Sequence, residues 1–180
     1  MSSDSMKELR SLAKLVKMRN DVARKISKKI DTPALIGNVG EYIAARVFGI
    51  TLETSRTNTG IDGKFKWGAL GGLTVNVKMY TIPKVLDINH DAPADIYLVL
   101  AGSRDQSGKL LPWCIHNVYL FDYKELKKDF TVNDRKIKRE MSLRKELWTQ
   151  AEIYPEKRNH RTILSPNQRK MLFLFNDCDD

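Results

Sequence analysis

Cysteine is nearly absent: the chain has only Cys114 and Cys178, far apart and in no CxxC pair. Neither a disulfide framework nor a zinc site is expected from them. Long apolar runs are missing too. The longest, Ile96 to Ala101, is too short to span a bilayer. The opening stretch MSSDSMKELRSLAK is broken by charges every few residues and holds no apolar signal core. A soluble, cytoplasmic protein with no membrane partner is expected. No glycine-rich phosphate loop of either common type occurs, and no pair among His90, His116 and His160 has zinc spacing. Asn89-His90 and Asn159-His160 lack the cysteines and ββα pattern of an HNH nuclease. Internal repeats and low-complexity tracts are also absent.

Positive charge is in excess. Thirty-one Lys and Arg stand against 22 Asp and Glu, a formal net charge of +9. A polyanionic partner is favoured, nucleic acid first and an acidic membrane surface second, with ordinary solubility as the plain alternative. A length of 180 residues with 42% apolar content suits one α/β domain with a helical arm.

Periodicity divides the chain. Leu9, Leu12, Val16, Ala23, Ile26 and Ile30 recur at helical steps, so residues 5–30 read as one helix with a basic remainder. Its seven-residue spacing at 9, 16, 23 and 30 allows a helix–helix seam, which Arg19 interrupts; packing on its own domain is the simpler expectation. A second helix starts near Thr32-Pro33 and stops at Gly49, with Leu35, Ile36, Val39, Ile43 and Val47 as its buried stripe. Glu41 lies off that stripe, flanked at helical spacing by the small residues Gly37, Ala44 and Ala45.

Strand signals follow. Thr51–Thr57 is a candidate strand. Asp62–Trp67, the turn Gly68–Gly72 and Leu73–Tyr80 form an expected hairpin. Asp95–Ala101 reads as a strand covered on both faces. Trp113–Asp122 reads as a further strand and Lys124–Phe130 as a short helix. Another helix is expected over Leu143–Ile153, capped by Ser142. Met171–Phe175 is apolar and unassigned. The single domain 1–180 thus comprises an N-terminal helix (1–31), a core (32–155), and a basic segment with an acidic tail (156–180).

The chemistry concentrates in Gly60-Ile-Asp-Gly63 and Thr74-Val-Asn-Val-Lys-Met-Tyr80. Strand alternation turns Val75, Val77 and Met79 one way and Thr74, Asn76, Lys78 and Tyr80 the other. Asp62, on the partner arm of the hairpin, reaches the same face, and Glu41 approaches from the helix before it. A hard divalent cation needs oxygen ligands, which Asp62, the Asn76 side chain and the Val77 carbonyl can supply. Lys78 is then placed to orient a water and hold charge near a pentavalent phosphorus. Asp-Gly turns and Val-x-Val-Lys strands are nonetheless common structural features.

The order Gly40-Glu41 on a helix, Gly60-x-Asp62-Gly63, then Val75-Asn76-Val77-Lys78 on an apolar strand resembles the PD-(D/E)xK nuclease superfamily. The segment Ile36–Gly49 is similar to the first helix of restriction-endonuclease-like domains. Met141–Trp148 and Ala151–Pro155 resemble a later segment of such proteins. The resemblance covers residues 32–155. It implies a restriction-endonuclease-like mixed β-sheet core flanked by helices. It also implies a Mg2+-dependent, type II site-specific endodeoxyribonuclease of a restriction-modification system, with Mn2+ as substitute cation, acting on double-stranded DNA as a homodimer. Glu41 would match the helix glutamate, Asp62 the metal-binding aspartate and Lys78 the motif lysine. Asn76 departs from the pattern, where Glu, Asp or sometimes Gln stands. It is a natural neutral ligand, or its carboxylate comes from Glu41, Glu53 or Asp87, or an Asp→Asn change has silenced cleavage. In the last case the chain is a catalytically inactive, nuclease-fold DNA-binding protein.

Arg56, Lys64 and Lys66 flank this centre, with Tyr80 on its strand, and are candidate DNA contacts. Ser142, Arg144 and Lys145 are expected at a helix start, where backbone amides favour a phosphate. Arg158, Asn159, His160 and Arg161 form a polar, basic cluster suited to base edges. Each is equally a side chain that surfaces carry for solvation.

Overall fold

A computed structural model describes residues 3–54, 60–82, 85–89, 92–104, 108, 113–132 and 140–176. Arg56, His90 and Cys178 lie outside the described residues. The chain divides into two compact units, Met1–Val39 and Gly40–Asp180.

The first unit is dominated by α1 (Ser3–Ile30). Leu9, Leu12 and Val16 on it are exposed, while Ala23, Ile26 and Ile30 are half-buried. Asp31 takes a left-handed conformation (φ 57°) and ends the helix. The Ala34 N–H then donates to Ser27 Oγ at 2.9 Å. The Pro33 carbonyl accepts from Leu35 N–H at 2.7 Å and from Asn38 Nδ2 at 2.8 Å. These bonds prolong the turn, so α2 (Ile36–Phe48) starts later than Thr32-Pro33 suggests.

The second unit is mixed α/β. Its six-stranded sheet has the order β1-β2-β3-β5-β6-β8. The members are β1 (Ile50–Leu52), β2 (Gly63–Phe65), β3 (Thr74–Tyr80), β5 (Ile96–Ala101), β6 (Asn117–Asp122) and β8 (Glu152–Tyr154). β3 and β5 run parallel, pairing Val75 with Ile96 through Tyr80 with Ala101; all other neighbours are antiparallel. The expected hairpin forms, with Gly63 opposite Val75 and Lys64 opposite Thr74. Every residue of β5 is buried, as its unbroken apolar run predicts.

Both sheet faces are covered. Paired residues of a ladder turn their side chains the same way. Val75, Val77 and Met79 therefore share a face with Ile96, Leu98 and Leu100. On that face α2 comes close: a Cβ on Gly40 would lie 2.7 Å from the Met79 Cβ. On the other face Tyr97, Val99 and Phe121 pack with Leu86, Leu126, Phe130 and Met141. Leu86 belongs to β4 (Val85–Asp87) and Met141 to β7 (Glu140–Ser142), which form a separate two-stranded sheet. Leu126 and Phe130 come from α3 (Tyr123–Val132).

Three expectations need correction. The helix expected over 143–153 is only α4 (Lys145–Ala151), because Ile153 and Tyr154 join β8 beside β6. Ser142 is not its cap: it lies in β7 opposite Val85, and the N-cap is Arg144, whose side chain makes no capping bond. Pairing with a distant strand has overridden local helix preference. Cys114 is disulfide-bonded, against the expectation from the wide cysteine spacing. Its neighbour Ile115 donates to the Phe175 carbonyl at 2.7 Å, which brings the end of the described chain back beside it. The unassigned segment becomes α5 (Pro166–Phe173), opened by a capping box between Ser165 and Gln168. Among the described residues, no helix is long and apolar enough to cross a membrane.

Candidate active site

Asp62 stands where β2 leaves its partner. Its backbone N–H donates to the Val75 carbonyl at 2.9 Å, and its own carbonyl accepts from Glu53 N–H at 2.9 Å. The side chain turns across to β3, where Oδ2 accepts from the Val77 N–H at 2.6 Å. In an extended strand the N–H and C=O of one residue point to the same side. The Val77 carbonyl therefore faces the side on which Asp62 lies. Burial pushes the Asp62 carboxyl above the ordinary aspartate range, outweighing the downward pull of the Val77 N–H and the Lys78 ammonium.

Asn76 is 4% exposed. Its Nδ2 donates to the Gly60 carbonyl at 3.0 Å, which fixes the amide orientation. Oδ1 is then buried without a hydrogen-bond partner. Gly60 cannot be another residue: φ is +116°, and a Cβ would lie 2.7 Å from Asn89 Nδ2. A buried acceptor left unmatched is rare. It is a feature that a cation or a water would relieve.

Lys78 is half-buried, and its Nζ lies 3.4 Å from Asp87 Oδ2. Asp87 is on β4, which follows β3 in the chain and packs over this face through Leu86. Its backbone N–H donates to the Tyr80 hydroxyl at 3.3 Å, so Tyr80 and Lys78 hold the same residue from both ends. Asp87, one of the three carboxylates suggested as substitutes at position 76, thus pairs with Lys78. Glu41 is half-buried on α2, next to Gly40, the point of close approach to β3. Glu53 is exposed. Among the described residues, no group of three or more His, Cys, Asp or Glu side chains could hold a metal ion. The oxygen set here is different in kind: one carboxylate, one amide oxygen and one main-chain carbonyl.

The basic candidates separate into two groups. Lys64 and Lys66 are exposed and alternate with Asp62 along the same side of β2. Lys145 and His160 are exposed, as is Ser142 on β7. The others are engaged within the fold. Arg144 pairs with Asp129. Arg158 pairs with the buried Glu152 at 3.1 Å. Arg161 pairs with Asp122 at 3.1 Å and Glu125 at 2.7 Å. Asn159 donates to the Leu120 carbonyl at 2.9 Å. These bonds anchor the segment after β8 to β6 and α3, a structural role that the sequence cluster did not signal. The sequence offers Asp87 as one of three substitute carboxylates but does not tie it to Lys78, since a three-residue strand carries no readable period.

Comparison with models of known protein families finds no match, and comparison with curated proteins finds none.

Proposed function

We propose that this chain is a divalent-cation-dependent DNA endonuclease of the PD-(D/E)xK type, with a restriction-endonuclease-like core. It acts on double-stranded DNA as a homodimer, with Mg2+ as its natural cation. The observation that carries this reading is the buried, unpartnered Asn76 Oδ1 on the strand whose Val77 N–H holds the Asp62 carboxylate. A hard cation there would satisfy the orphaned acceptor and restore a favourable partner to a desolvated carboxylate. Asp62, Asn76 and the Val77 carbonyl would hold it. When bound, the ion would polarise a phosphate oxygen and acidify a water.

The remaining work falls to side chains of the chain itself. Lys78 presents its ammonium to the attacking water and to charge developing on the phosphate. Asp87 keeps that ammonium in place without burying it fully. Lys64 and Lys66, on the Asp62 side of β2, position the phosphate backbone, and the net charge of +9 supports the same partner. Two copies of a single-site chain are needed to cut both strands, which is the reason for proposing a dimer.

The test is plasmid cleavage with and without Mg2+, for the chain and for Lys78→Ala. Cleavage that needs both Mg2+ and Lys78 is expected; equal cleavage by the two proteins would remove the proposed centre. The neutrality of Asn76 favours a second reading, a nuclease-fold protein that binds DNA without cutting it. That reading predicts salt-sensitive duplex binding and no cleavage even after a carboxylate is restored at position 76.

A further inference from the structure

A cleft of about 710 Å3 opens on the α2 side of the sheet, between the β2–β3 turn and the segment leading into α5. This volume is in the range of small-molecule sites. Its most prominent feature is Trp67, 66% exposed although large and apolar. The ring is not loose. It lies against Gly49, where a Cβ would come within 2.4 Å of its six-membered ring and where φ is +66°. Glycine at 49 is therefore required twice, by conformation and by contact. Ile163, 67% exposed, supplies a second apolar surface in the cleft. Gln168 lines it too, and its Nε2 bond to the Val47 carbonyl at 3.0 Å fixes α5 to α2.

The charge in the cleft has one sign. The ionisable lining residues among those described are Arg46, His160 and Arg161, with no carboxylate. Arg161 is neutralised by Asp122 and Glu125. Arg46 and His160 are exposed. Lys66 Nζ adds a further cation 5.7 Å from the Trp67 ring centroid. A flat, anchored aromatic surface beside basic side chains, with no carboxylate among the described lining residues, matches a flat, anionic ligand.

We propose that this cleft binds a nucleotide, with its base stacked on Trp67 and its phosphate held by Arg46 and His160. The site is separate from the Asp62–Lys78 centre: Phe65 alternates to the side opposite Asp62 and Lys64, and the cleft lining includes none of Asp62, Asn76 and Lys78. It stands whether or not the chain cuts DNA. A free mononucleotide and an unpaired nucleotide of a strand share this chemistry.

Equilibrium dialysis with the four ribonucleoside 5′-monophosphates and with thymidine pentanucleotide tests the site, with tryptophan fluorescence followed in parallel. Stacking on an aromatic side chain predicts that Trp67→Ala weakens binding by about 5- to 150-fold while Trp67→Phe retains most of it. Arg46→Gln should weaken binding and flatten its salt dependence, whereas Lys78→Ala should leave it unchanged. Binding of the monophosphates identifies the source as a free nucleotide. Binding of the pentanucleotide alone identifies it as an unpaired strand. No binding of either, or binding indifferent to Trp67→Ala and Arg46→Gln in variants that melt like the parent chain, overturns the proposal.

Discussion

Lys78 Nζ and Asp87 Oδ2 meet at 3.4 Å across two strands that belong to different sheets. The lysine is thus held by a strand of the layer that covers it. Asp87→Ala should therefore act through the lysine. If the proposed nuclease is active, cleavage should fall by about 10- to 100-fold, as for other outer-shell partners, with kcat lowered and KM unchanged. Stability should change by no more than about 1 kcal/mol, because the pair is partly solvated. An equal loss of binding and turnover would show that Asp87 does more than position Lys78.

Asp62 gives a prediction of opposite sign for stability and function. Its folded pKa is raised, so the folded chain keeps the proton over the window between the unfolded and folded values. Stability falls as pH rises through that window, and above it the ionised carboxylate is a net cost. Asp62→Asn should therefore raise Tm at neutral pH in chelator, while abolishing the rise in Tm that the proposed site predicts for the parent chain in Mg2+ or Mn2+. Cation affinity of the parent should weaken as pH falls through the raised value. Calorimetry with and without EDTA checks both; a lower Tm for the variant in EDTA at neutral pH would contradict the assigned burial cost.

Asn76→Asp separates the two functional readings. A second carboxylate beside Asp62 should tighten Mg2+ by about tenfold or more and should lower Tm in the absence of a cation through like-charge repulsion. Isothermal titration with Mg2+ and a plasmid assay give the answer. Gained cleavage identifies a weakened enzyme, and tighter Mg2+ without cleavage identifies a binder.

Thr74 and Asp95 lock the starts of the two parallel strands. The Thr74 N–H and hydroxyl donate to Asp95 Oδ2 at 2.9 and 2.7 Å, and the Asp95 N–H donates back to Oγ1 at 2.9 Å. The Thr74 hydroxyl and amide hold the Asp95 carboxyl below the ordinary range. Its stabilising contribution is present above the unfolded pKa and is lost as pH falls through the lowered one. Thr74→Val should destabilise by about 1–2 kcal/mol at neutral pH, and by less in acid. Urea unfolding across that range measures it; a pH-independent difference would mean that the loss lies in packing.

Gly40→Ala should strain the contact between α2 and β3, because the new Cβ would lie 2.7 Å from the Met79 Cβ and 3.4 Å from its sulfur. About 1–3 kcal/mol of destabilisation is expected from overpacking. A double variant with Met79→Gly should recover part of it, since only loss of the Met79 Cβ relieves the closest contact. Thermal melts of the two single variants and the double variant settle the point.

The helices and longer strands were legible where burial imposes a period. Val75, Val77 and Met79 announced β3, and the run Ile96–Ala101 announced β5. The alternation at 74–80 also places Asn76, Lys78 and Tyr80 on one face. What stayed hidden was non-local. Ser142 reads as a helix cap but pairs with Val85, and Ile153 reads as helical but closes the sheet edge. Asp87 sits in a strand too short to show a period. Arg158 and Arg161 read as nucleic-acid contacts because sequence shows charge but not the Glu152, Asp122 and Glu125 that answer it.

Among the described residues, the strand that carries Asp87 pairs only with β7, which lies more than fifty residues further along the chain. During synthesis the ribosome must therefore add roughly three to ten seconds' worth of polypeptide, at about 5–20 residues per second, before β4 can pair with β7. A nascent chain stalled before residue 140 would carry Asp62, Asn76, Lys78 and Asp87, but with β4 lacking its β7 partner. Completion of the layer over the site is thus delayed until most of the protein has emerged.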